Sequence, residues 1–375
     1  MSFNIKFGAF IPPFYHPNMN PTVAIDDEVD FIKFLEKKGF KEAWIGEHHS
    51  GGYELISSPE IFIAHAAAKT KTIKLGTGVI SLPYHNPLLV ADRIVLLDHL
   101  TKGRSILGVG PGALVSDAHI LGVDPLKSRD IMTESLLVIN KLLNGDAVTI
   151  KNEYFELNDA RLQLLPWSEE GIEIAVAGVS SDAGPKLAGS LNCSLISSAN
   201  LAKLKPHWNS YCNASSLEDS NVNRKKWRIA APMFIAESMS EAIEKTKIGL
   251  LDWLHYFQKV TTLKLINEET THSEAVEIIN KSGFGVIGTV NDAKKFINKI
   301  HIESGGFGTF LCTKHTWSDS KSIKESYNYI AEELIPYFSN MTSAQINSDR
   351  WNNINHKAFI EKMDVAINNH TVEKK

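Results

Sequence analysis

Residues 73–109 decide the fold: IKLGTGVI (73–80), NPLLVADRIVLLDHLTKG (86–103) and ILGV (106–109). The first and last pieces are short apolar runs of the length of buried strands. The middle piece opens on Asn86-Pro87 and closes on Lys102-Gly103, which are helix start and stop signals. Two strands joined through a helix of that length run parallel, because the crossover carries the chain back to its starting edge.

The same unit recurs in both directions from this stretch. Upstream, Ile5–Ile11 reads as a strand. Ile25, Val29, Ile32 and Leu35 then mark a helical stripe over residues 23–38, with Gly39 as its C-terminal cap. Ala43–Gly46 is the next strand, ending in Glu47-His48-His49, and Ser58-Pro59-Glu60 opens another helix. Downstream, helices are expected at 128–143, from Gly184, and at 241–257 and 292–303. Strands are expected at 172–177, 194–198, 229–236 and 307–311. About eight strand–helix units fit, which predicts an α/β (β/α)8 TIM barrel over residues 1–340. An open doubly wound sheet is the competing architecture, and no GxGxxG opens the first unit to support it.

Three segments break the rhythm. Residues 163–170 and 208–228 read as insertions, and 258–285 as a long binding loop or lid. Residues 341–375 form a C-terminal helical extension, whose helix Trp351–Ile367 is expected to wrap the barrel or help dimerise.

With 39 basic and 43 acidic residues and no like-charge block, the chain has no electrostatic footprint for nucleic acid. No apolar run reaches membrane-spanning length and no signal peptide is indicated, so a cytoplasmic protein is expected. Cys193, Cys212 and Cys312 suggest neither a disulfide framework nor a zinc site.

Chemistry in such a barrel sits where the strands end. Three sets of residues qualify. In Glu47-His48-His49, alternate side chains point to opposite faces, so a single histidine faces the barrel axis. No HxH or HExxH accompanies it, and no metal is expected; a histidine there serves as general base, hydrogen-bond donor or structural partner. The second set, Gly76-Thr77-Gly78-Val79, offers bare backbone to a flat ligand, or relief of crowding in the barrel. The third joins Gly108-Val109-Gly110-Pro111-Gly112 with Ala177-Gly178-Val179-Ser180-Ser181. Amides and hydroxyls at the start of a helix suit a phosphate, and Arg129 could add a bidentate charge. Phe14, Tyr15, Phe310, His315 and Trp317 could line an apolar pocket.

These motifs coincide with those of one family. LGTGVISLPYHNP (75–87), LDHLTKGR (97–104), LGVGPGALVSDAH (107–119), VAGVSSDAGPKLAG (176–189) and GGFGTF (305–310) resemble the bacterial-luciferase-like flavin-dependent monooxygenases, most of all the limonene monooxygenase-like subgroup. The resemblance implies reduced FMN (FMNH2) from a partner flavin reductase. It also implies O2 activated as a C4a-(hydro)peroxyflavin, and a small apolar substrate or carrier-bound acyl group undergoing hydroxylation, epoxidation or Baeyer–Villiger oxidation. By the same resemblance His48 is the active-site histidine and Gly78–Val79 a non-prolyl cis peptide against the flavin. Arg129, Ser180 and Ser181 take the phosphate, beside Gly110, Ala177, Gly178 and Val179; a homodimer is expected. Gly110-Pro111 stands where luciferase has a reactive Cys and a phosphate-binding Arg, so light emission is not implied. A deazaflavin (F420)-dependent oxidoreductase, a non-catalytic FMN-binding relative and a metal-dependent barrel hydrolase are the alternatives.

Overall fold

The order of strands in the wall is the order in the chain. The strands are β1 (Lys6–Ile11), β2 (Glu42–Ile45), β3 (Lys74–Thr77), β4 (Ile80–Ser81), β5 (Ser105–Gly110), β6 (Val148–Lys151), β7 (Glu156–Ala160), β8 (Glu173–Ala177), β9 (Ser194–Ser198), β10 (Trp227–Ile235), β11 (Val286–Gly288) and β12 (Thr309–Thr313). They come from a computed structural model that describes residues 4–12, 14–179, 181–216, 222–261 and 264–372. Among the described residues, β1, β2, β3, β5, β8, β9, β10 and β12 pair in parallel, and β12 returns to β1 to close an eight-stranded barrel. β4 continues β3 along β5, β11 extends the far end of β10, and β6–β7 is an antiparallel hairpin that the sequence did not disclose.

The pleat sorts the side chains. On β2, Glu42 and Trp44 point inward and Ala43 outward. The same parity brings Ile106, Ala175, Ile196 and Leu311 against Trp44 in a separate internal cluster. Below this layer Glu42, Glu173 and Arg228 meet across the barrel: Arg228 Nε lies 2.7 Å from Glu42 and Nη2 2.8 Å from Glu173. Strands β2 and β10 are not neighbours, so this contact runs through the interior. The large apolar cluster lies between wall and helices. Phe310 belongs there, packed on Phe7 and Phe296; it does not line a pocket, because on β12 the inward residue is Leu311.

The helices start and stop largely as their caps dictate. Asn20 and Asn86 cap Pro21–Lys37 and Pro87–Thr101 with their side chains, and Gly39 has φ +88. Ser58 precedes Pro59–Ala67 without a side-chain cap bond. Two expectations are corrected. Residues 258–285 are not one loop: Thr271 and Glu274 form a capping box on the helix His272–Ser282. Residues 208–214 belong to the helix Leu201–Ala214. The last helix, Ser343–Val372, spans about 45 Å at 1.5 Å per residue. No described side chain on it is buried, so it does not wrap the barrel. Among the described residues, no helix is long and apolar enough to cross a membrane.

Candidate active site

At the upper end of the barrel the inward parity of β5 and β8 places Gly110 and Ala177 side by side. The Gly78–Val79 bond before β4 is cis. A Cβ on Gly110 would lie 2.6 Å from Val79 Cγ2 and 3.9 Å from Ala177 Cβ. The three residues therefore make a shallow apolar surface, a cradle in which the small Val79 and Ala177 side chains lie beside bare backbone at Gly110. Gly178 is packed on Pro185 behind it, and Val179 is 54% exposed on its rim. The helix Ala183–Ser190 starts just beyond, with Ser181 half-buried at its approach; Ser180 lies outside the described residues. Arg129 is exposed in the first turn of the helix Ser128–Leu143.

Gly76 serves a different purpose from the one suggested by its place at a strand end. Trp44 is its partner in register on β2, and the indole occupies the room that a Gly76 side chain would need. The second reading, relief of crowding, is the one the structure shows.

His48 follows β2 and is nearly buried between two carboxylates. Its Nδ1 lies 3.1 Å from Asp117 and its Nε2 2.6 Å from Glu54. Burial alone would push the imidazole down, but the hydrogen bonds and charges of Asp117 and Glu54 outweigh it and raise the pKa to about 9. Asp117 also accepts from the His49 amide at 3.1 Å and from the Ser50 hydroxyl at 2.5 Å. These bonds hold its carboxyl below the usual carboxylate range despite burial. Glu54 is brought back to His48 by the turn at Gly51-Gly52, with φ +84 and +76, which only glycine adopts freely. The loop is closed by His48 N–H donating to Ile56 O and by pairing of Glu54 with Phe14.

His49 points the other way. Its Nε2 and that of His85 both lie 2.8 Å from Glu47 Oε1, while Ser81 N–H donates to Glu47 Oε2 at 2.8 Å. These three ligand-type atoms are close enough to suggest a cation. However, Arg93 Nη2 stands 3.4 Å from His85 Nδ1, which makes that nitrogen the acceptor and leaves the proton on Nε2. The trio is thus a hydrogen-bonded strut tying the Glu47-His48-His49 segment to β4.

Phe14, Tyr53 and Tyr256 roof the His48 end, with ring centroids 4.3–5.0 Å apart. Tyr256 comes from the helix Leu250–Val260; the segment 241–257, read from sequence as one helix, is two, Met239–Thr246 and Leu250–Val260. Tyr15 instead donates to the buried Glu28 at 2.9 Å. His315 and Trp317 stack on each other at 4.0 Å beneath Trp253. Asp117 and Glu54 were missed from sequence. The Gly51-Gly52 doublet was the available signal that the chain doubles back after His48.

The family model for luciferase-like monooxygenases matches residues 5–283. Limonene 1,2-monooxygenase from Rhodococcus erythropolis is 39% identical over 340 residues, covering 89% of this chain and 87% of that protein. The chain belongs to the luciferase-like monooxygenase family. Within it, 4-hydroxyprotoasukamycin monooxygenase from Streptomyces nodosus subsp. asukaensis is 35% identical, over 92% of this chain and 96% of its own. The oxygenating constituent of 3,6-diketocamphane monooxygenase from Pseudomonas putida, solved in complex with FMN, shares the fold with a TM-score of 0.73. It is 24% identical over 90% of this chain and 98% of its own. By name these relatives are monooxygenases acting on limonene, 4-hydroxyprotoasukamycin and diketocamphane, and this luciferase-like monooxygenase is of their kind.

Proposed function

We propose that the chain is the oxygenating component of a two-component system. It would take reduced FMN from a separate flavin reductase in the cytoplasm and act on a small apolar substrate or a carrier-bound acyl group. The observation that carries this reading is His48, held between Asp117 and Glu54 at the end of β2, with the small apolar surface of Val79, Gly110 and Ala177 at the same end of the barrel. Val79, Gly110 and Ala177 would carry the flat ring system. Gly178, Val179, Ser180 and Ser181 would bind the ribityl phosphate at the helix start, with Arg129 adding charge. Reduced FMN, when bound, supplies the electrons that activate dioxygen. His48 is the catalytic residue, holding a proton at the open end of the cradle, and the Phe14, Tyr53 and Tyr256 rings keep bulk water from it.

A homodimer is part of this reading. Leu89, Leu96 and Leu100, each more than half exposed, form one stripe on the helix Pro87–Thr101, and Ile61 stands 71% exposed on the helix packed beside it. An exposed apolar stripe of this kind, continued by Ile61 on the neighbouring helix, is a surface made to be covered.

The test supplies reduced FMN and 18O2 with a panel of alkenes, ketones and aldehydes, and follows label in the product by mass spectrometry. Incorporation of one labelled atom supports the reading. Tight binding of reduced deazaflavin with no label incorporated would replace it by hydride transfer, and FMN binding with no turnover by a flavin carrier.

A further inference from the structure

His48 has two partners, and they are not equivalent. Asp117, on the short helix Val115–Ile120, also accepts from the His49 amide and the Ser50 hydroxyl, so it builds the loop as well as holding the ring. Among the described residues, Glu54 shows no such second duty for its side chain. Its backbone is pinned against Phe14, the Tyr15 N–H donates to the neighbouring Tyr53 carbonyl at 2.7 Å, and its carboxylate is spent on His48 Nε2.

The surroundings favour charge on the ring. From its own loop, Glu47 and His49 flank it, but His49 is turned to Glu47. From the helix at 115–120 comes Asp117, from the helix at 250–260 the un-ionised Tyr256 phenol, and beside β4 the Tyr84 phenol and His85, which is bonded to Glu47. Among these described groups, the two that touch His48 as ion pairs are both carboxylates.

We propose that Glu54 is a positioning residue for His48: its carboxylate holds the Nε2 proton while Asp117 holds Nδ1, so the ring approaches the cofactor as an imidazolium of fixed orientation. The importance of that proton for turnover rests on the oxygenase reading above; the proton's location does not. No electron moves in the exchange. The Nε2 proton is shared with Glu54 in the resting state and passes to a more basic oxygen brought into contact, leaving a neutral ring still tied to Asp117.

The experiment is 15N NMR of histidine-labelled full-length protein, titrated between about pH 5 and 10, with His48→Gln assigning the resonance. In the wild type, His48 should show two protonated nitrogens at neutral pH. Glu54→Gln, close to isosteric, should lower its midpoint by at least about one unit, a tenfold change in the charged-to-neutral ratio. Glu54→Asp should restore part of the shift. An unmoved midpoint in Glu54→Gln would overturn the proposal. So would a neutral His48 in the wild type near pH 7, which needs no variant to fold. Because no turnover is read, failure of the oxygenase reading leaves these outcomes intact, and the reverse also holds.

Discussion

Trp44 and Gly76 share one volume inside the barrel: a Cβ on Gly76 would lie 2.5 Å from Trp44 Cε3. A Cβ on Gly108 would lie 2.9 Å from the same indole and 1.9 Å from the Thr77 carbonyl oxygen. Neither backbone oxygen nor a fully buried tryptophan yields easily in a close-packed interior. Gly76→Ala is therefore expected to cost about 1–3 kcal/mol through overpacking, read as a lower urea midpoint at unchanged slope. Trp44→Ala should cost roughly 3–5 kcal/mol. The double variant should cost less than the two singles together, since the shared volume is what couples them. Additive values would show that the two positions do not compete.

The barrel floor makes a second, independent prediction. Arg228 is 3% exposed and bridges Glu42 and Glu173, and its charge draws the Glu173 carboxyl down to about 2 against the burial that would raise it. Arg228→Met removes the bridge and leaves the buried Glu42 carboxylate without its cation, facing a half-buried Glu173 that keeps Lys74 and Ser194. A loss on the order of 3–5 kcal/mol is expected, with flavin affinity of the folded fraction unchanged because the floor lies at the opposite end from the cradle. Thermal unfolding at neutral pH measures the first, fluorescence titration of FMN the second.

Much of this was legible in the sequence, and the parts that were not have a common cause. Local signals held: Asn86-Pro87 opened its helix, Gly39 took a positive φ, and alternation predicted that the two adjacent histidines would face different partners. What failed were contacts between distant residues. Asp117 reaches His48 across 69 positions, from a helix of only six residues with too little periodicity to orient it. Gly76 looked like a ligand platform because its filler, Trp44, is supplied by the next strand. Phe310 looked like a pocket residue because an isolated strand does not show which parity faces in.

At the cradle, adding bulk should block the ring. Gly110→Val puts a branched side chain where a Cβ already meets Val79 Cγ2 at 2.6 Å. FMN affinity is expected to fall at least about tenfold, or 1.4 kcal/mol. Arg129→Ala should weaken FMN by roughly tenfold through loss of a charge-assisted contact yet leave riboflavin binding unchanged, since riboflavin has no phosphate. Equal weakening of both ligands would remove Arg129 from the phosphate site.

The exposed leucine stripe predicts the assembly. Leu96→Glu or Leu100→Glu places a charge in the centre of the face formed by Leu89, Leu96 and Leu100, each 52–55% exposed in the single chain. If that face is buried between two copies, sedimentation should show dimer for the wild type and monomer for either variant. Wild type and variants sedimenting alike would discard the face as an interface.

Stability should depend on pH through two histidines of opposite sign. His48, held by Asp117 and Glu54, has its pKa raised from 6.5 to about 9. Its contribution is complete below about pH 6.5 and is lost as pH rises through about 9, an alkaline limb on the order of 2–3 kcal/mol. His315 is fully enclosed: its Nε2 donates to the Met233 carbonyl at 3.0 Å, and its Nδ1 accepts from the Trp317 amide at 3.3 Å. Burial lowers its pKa from 6.5 to about 3, so its contribution is complete above about pH 6.5 and is lost as pH falls toward 3. The two together place the stability maximum near pH 6.5. Urea unfolding at about pH 5, 6.5 and 9 checks the shape, and two variants check the assignment. His48→Gln should flatten the alkaline limb and leave the acid limb, while His315→Phe should do the reverse. If both variants keep the wild-type profile, other groups set it.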